Sequence, residues 1–171
     1  MANDSLNPHS VPVVRPIELD RDVAALSSFV VARDLEGLKA CRAAVEADDA
    51  FILVAELADV AVGWVAVHTS YRADQGWTPD EDTQAFQQGE HAYLVNIEVE
   101  RTARGLGIGR MLLEAAEAEA SRRGKRCLWL HTSEANHPAR RLFASSGWLY
   151  EKTVRPPWNG RRPTLIYKKP F

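Results

Sequence analysis

Apolar and polar positions alternate along this chain in short blocks, and the blocks change period several times. Val11–Glu18 is β-branched but broken by Pro12 and Pro16, which predicts a strand at a sheet edge. From Asp20 the spacing of Val23, Leu26, Val30 and Val31 is helical, so a helix capped by Asp20 is expected to run through Asp34. A second helix is expected over Leu35–Ala47, after a break near Gly37. Phe51–Glu56 and Val62–Val67 read as strands of a hairpin turning at Asp59. Residues 70–90 are polar and turn-rich, long for a connection in a small domain. Ala92–Val99 is a mostly apolar strand. Gly107–Arg123 is a helix with Ile108, Met111, Leu112, Ala115 and Ala116 on one face, stopped by Gly124. Cys127–Leu130 is a short buried strand, Asn136–Ser145 a helix ended by Gly147, and Trp148–Val154 and Thr164–Lys168 close the chain as strands. Hairpins mixed with crossovers give an α/β fold of the mixed α+β kind.

The totals narrow the function classes. The 171 residues suit one domain over 11–171, preceded by a disordered leader at 1–10. The formal net charge of −2 gives no global field for nucleic acid or an anionic membrane. No apolar run is long enough to span a bilayer, and the first residues lack a signal-peptide pattern, so a cytoplasmic location is expected. Cys41 and Cys127 match no metal spacing and read as two buried thiols; Trp64 and Trp129 read as core.

The informative stretch is Val99–Gly109, VERTARGLGIG, where a strand enters a glycine-rich turn and a helix follows at once. Glycine lets the backbone come close to a ligand, and the free N–H groups of a helix start favour phosphate. Arg104, Gly105, Gly107 and Gly109 therefore suggest a pyrophosphate cradle, with a purely structural glycine turn as the alternative. The spacing G-x-G-x-G is not the dinucleotide fingerprint, and Arg110 after Gly109 is not the nucleoside-triphosphate loop.

Arg104-Gly105-Leu106-Gly107-Ile108-Gly109 resembles the R/Q-x-x-G-x-G/A signature of the GCN5-related N-acetyltransferase (GNAT) superfamily. Downstream, Asn136, Ala139, Phe143, Gly147 and Trp148 resemble its N-x-x-A-x-x-x-Y-x-x-x-G-F pattern, and Val14-Arg15-Pro16-Ile17 its first strand. The resemblance covers roughly residues 13 to 169. It implies a twisted mixed sheet of about six to seven strands with about four helices. It also implies acetyl-CoA as cosubstrate without a metal. Ile97 to Val99 would pair with the pantetheine arm, the amides of Arg104 to Gly109 would hold the pyrophosphate, and Asn136 would meet the pantetheine. Phe143 stands where the family's sulfur-facing tyrosine usually is, which removes the usual acid; Tyr150, Ser133 or water are the replacements considered.

Acyl transfer to an alkylamine needs a proton acceptor. Glu98, on the strand before the cradle, is one candidate, its pKa raised if buried. His131 is the other, five residues before Asn136, where bacterial ribosomal-protein acetyltransferases place a glutamate. The acids of the insertion, Asp74, Asp80, Glu81, Asp82 and Glu90, with Trp77, point to a small cationic acceptor such as an aminoglycoside or polyamine. A protein N-terminus is the alternative acceptor, and a non-catalytic acyl-CoA sensor the alternative class. Arg140, Arg141 and the basic segment Arg155–Arg162 could touch CoA phosphates or simply face solvent. A homodimer is expected by family habit.

Overall fold

The computed structural model describes residues 11–27, 42, 44–70, 88–156 and 159–171. The leader, most of the second helix, Cys41, the insertion with Trp77, and Trp158 lie outside the described residues. Seven strands form a sheet: β1 (Val13–Pro16), β2 (Ala50–Leu57), β3 (Val60–His68), β4 (His91–Val99), β5 (Cys127–Ser133), β6 (Leu149–Val154) and β7 (Thr164–Pro170). Their order is β1-β2-β3-β4-β5-β7-β6. The described helices are α1 (Leu19–Leu26), α2 (Ile108–Arg122) and α3 (His137–Ser145). The mixed sheet and interleaved helices are the fold the sequence implied. The chain divides into two compact units, Met1–Ala66 with Asn96–Ala116, and Val67–Val95 with Glu117–Phe171.

In the first unit, β1 is an edge strand antiparallel to β2, as the prolines required. Asp20 does not cap α1. The helix starts two residues earlier, with Glu18 at the N-cap position and no side-chain cap bond from it. Asp22 instead reaches back from the first turn and accepts from the Glu18 N–H at 2.7 Å. It is only 1% exposed, and Arg15 holds it with two bonds of 2.7 and 2.8 Å while also bonding Glu56. The acid that wins the helix start is thus the one whose burial an arginine offsets. The β2–β3 hairpin turns at Ala58 and Asp59, both at positive φ (50° and 63°), as a two-residue turn that matches strand twist demands. Trp64 is 2% exposed and packs with Leu26, Ile52 and Val54.

In the second unit, β5 runs three residues beyond the expected end, to Ser133, and all seven of its residues pair with β7. The threonine and serine that look like a loop in sequence are held by that ladder. Gly124, at φ 76°, ends α2 as its position suggested. One cation then bridges distant carbonyls: Lys125 Nζ donates to Thr69 O at 2.6 Å and to Gly89 O at 2.7 Å.

Candidate functional site

In the first unit, the cradle is assembled in sequence order from the end of β4. Ile97, Glu98 and Val99 are each half-buried. The Glu100 carboxylate accepts from the Thr102 and Ala103 amides and the Thr102 hydroxyl, capping a 3-10 turn over Arg101–Ala103. Those bonds, the Thr102 side chain first, hold its pKa below the ordinary carboxylate value. Arg104 Nε donates to Val99 O at 3.0 Å, so its side chain folds back over the turn. Gly105 and Gly107 sit at φ 83° and 80°, and an added Cβ at either would meet nothing within 4 Å. Open space in front of left-handed glycines is the feature a bulky phosphate needs. Ile108 and Leu112, 1% and 0% exposed, fix α2 in the core behind it. The first turn of α2 carries no acid to oppose an anion.

In the second unit, β4 and β5 run parallel but pair only through His91↔Cys127, Ala92↔Leu128 and Tyr93↔Trp129. Directly paired residues share a sheet face, so His91, Tyr93, Cys127, Trp129 and His131 lie on one side. Tyr93 and His131 meet diagonally there: the rings stack at 5.9 Å and 13°, and the hydroxyl hydrogen-bonds Nδ1. Burial pushes the His131 pKa down from 6.5 to about 4, so the imidazole is neutral at pH 7. Tyr93 and His131 are 38 positions apart in sequence, and only the parallel register brings them together.

Glu98 belongs to the first unit, and Tyr93 and His131 to the second. Tyr150 pairs with Tyr167, which pairs with Leu130, so Tyr150 is on the face opposite His131. It is 55% exposed and its hydroxyl bonds Thr153 at 2.9 Å. Ser133 Oγ accepts from the Ala135 amide. Asn136 caps α3, its Oδ1 accepting from the Ala139 N–H at 3.3 Å. Phe143 is buried on the Tyr167 face, against Tyr167 at 5.7 Å and Trp148 at 5.9 Å. Arg140 donates to the Glu134 carbonyl. A cavity of about 410 Å³ lies at the start of β5, lined by His91, Cys127, Trp129, Lys168 and Phe171 among others and not by Tyr93 or His131. Trp129 Nε1 donates to His91 Nδ1 at 3.0 Å, which leaves any proton of a neutral His91 on Nε2.

The sequence profile of the acetyltransferase (GNAT) family matches residues 43–148, more than half of the chain and both halves of this geometry. This chain belongs to the GNAT family. It is an acetyltransferase enzyme. Solved GNAT structures share its fold. The ribosomal-protein-alanine N-acetyltransferase of Brucella melitensis is 22% identical over 93% of this chain and 99% of its own, with a TM-score of 0.72. The ribosomal-protein-S18-alanine N-acetyltransferase of Escherichia coli is 20% identical over 94% of each chain, at 0.68. Salmonella typhimurium yncA, solved with its cofactor acetyl-CoA, is 19% identical over 93% of each chain, at 0.66. No curated protein sequence matches significantly. Among the described residues of this GNAT protein, no helix is long and apolar enough to cross a membrane.

Proposed function

We propose that residues 11–171 act as one domain that transfers an acetyl group from acetyl-CoA to a primary amine. The observation that carries this reading is the Tyr93–His131 couple in a chain of the GNAT family. In this reading the amides of Arg104 to Gly109 hold the pyrophosphate, supported by the open glycines. Ile97 and Val99 pair with the pantetheine arm, and Asn136 borders it.

The amine must lose a proton as its nitrogen attacks the thioester carbonyl. The Tyr93 oxygen takes that proton while the Tyr93 proton passes to Nδ1 of the neutral His131. The C–S bond then breaks and CoA leaves as a thiolate, which needs no side-chain acid; Phe143 and Tyr150 are not asked to supply one. Glu98 is the alternative base.

The favoured acceptor is a small cationic amine, which the acids of the insertion support. A protein N-terminus is the second reading, supported by the fold shared with two ribosomal-protein-alanine acetyltransferases. The test is thiol release from acetyl-CoA against aminoglycosides, polyamines, amino acids and N-terminal peptides. Release that depends on His131 supports the reading and names the acceptor class. Tight acetyl-CoA binding with no release across the panel overturns it in favour of a sensing domain.

A further inference from the structure

We infer that Gly63, in the middle of β3, is a positioning residue for acetyl-CoA; this rests on the reading that the end of β4 and the following turn receive that molecule. Gly63 is not in the left-handed region, so no backbone conformation requires glycine there. Space does. A Cβ built on it would lie 3.0 Å from the backbone carbonyl oxygen of Glu98, 3.2 Å from Leu112 Cδ1 and 3.4 Å from Val99 Cγ2. The nearest of these is main chain, which cannot swing aside as a side chain can.

In a regular ladder, carbonyls lie near the plane of the sheet while Cβ atoms stand out of it. A carbonyl 3.0 Å from the Gly63 Cβ position is therefore displaced out of the sheet plane toward that face. One residue along, the Glu100 N–H donates to Val62 O at 2.7 Å. Val62 and Gly63 together seat the last three residues before the 3-10 turn: one binds them, the other leaves room for them. Leu112, fully buried on α2, closes the same seat from the helix that follows the cradle. A methyl at position 63 must push the Glu98–Val99 peptide, the helix, or both. Each is joined directly to the cradle at 104–109.

The test is Gly63→Ala, with acetyl-CoA affinity by calorimetry, the KM for each substrate, and thermal melting. The expected result is about a tenfold weaker acetyl-CoA Kd and a matching rise in its KM, with the acceptor KM unchanged and kcat within threefold. Unchanged acetyl-CoA binding in a folded variant overturns the inference, as does a loss of kcat alone. If Gly63→Ala does not fold, Gly63→Ala with Leu112→Val is compared with Leu112→Val alone. That change relieves the helix side and leaves the carbonyl contact, so equal acetyl-CoA affinities in the pair also overturn it. Failure of the wild-type protein to bind acetyl-CoA is a different outcome, which removes the functional reading itself.

Discussion

The Tyr93 hydroxyl rests on Nδ1 of His131, with the two rings nearly parallel. Tyr93→Phe keeps the stacked ring and removes the proton path. We expect kcat/KM to fall about tenfold, and His131→Gln to lower it about a hundredfold. If the two act as one relay, the double variant is no worse than His131→Gln alone; steady-state rates of the four proteins decide it.

The His131 shift also makes a statement about stability. Its folded pKa, about 4, is below the ordinary 6.5, so between those values the unfolded chain binds more protons than the folded one. Stability is undiminished above pH 6.5 and falls as pH drops toward 4. Denaturant unfolding at pH 7 and pH 5 is expected to show this loss, and His131→Gln to shrink it.

Asp22 offers a second, lower acid transition. Burial pushes its carboxyl up, but the Arg15 hydrogen bonds, the Glu18 amide and nearby charge outweigh that and leave it below the ordinary value. Its contribution is therefore complete above the unfolded carboxyl pKa and lost as pH falls through the folded one. Asp22→Asn removes one of the two carboxylates that hold Arg15 and leaves Glu56 as the other, and is expected to cost about 1–2 kcal/mol, read from chemical denaturation at pH 7.

Gly107→Ala tests the cradle without touching the relay. The left-handed backbone there strains alanine by about 1–2 kcal/mol, although no atom stands in its way. Acetyl-CoA affinity is expected to fall about tenfold while the pH dependence of kcat stays as in the wild type.

Phe143→Tyr restores the hydroxyl that the family usually carries. Phe143 is 3% exposed between Trp148 and Tyr167, so the added oxygen is pressed into an aromatic core. We expect about 1–2 kcal/mol lost stability and no gain in kcat, measured by melting and thiol release.

Much of this was legible in the residues. The prolines of β1, the Asp59 turn and Gly124 each impose a local backbone choice, and local choices survive into the fold. The cradle was legible for the same reason, because its glycines and helix start are consecutive. Asp20 misled because capping preference is local while Asp22 is selected by Arg15 and, through it, Glu56, 41 residues from Arg15. Ser133 was lost from β5 because its strand character comes from β7, not from itself. The Tyr93–His131 contact stayed hidden for the deepest reason: nothing in a linear string carries distance across a parallel pair of strands. Tyr150 was the mirror of that case, placed by register on the face opposite His131.

Lys125 has a consequence of another kind. By gathering the carbonyls of Thr69 and Gly89 onto one ammonium, it fixes the two ends of the intervening segment independently of what lies between them. Closing a loop grows costlier only slowly with its length, about 0.6 kcal/mol for each doubling. Replacing the chain between these two anchor points with one of another length is therefore expected to leave the β4–β5 register unchanged.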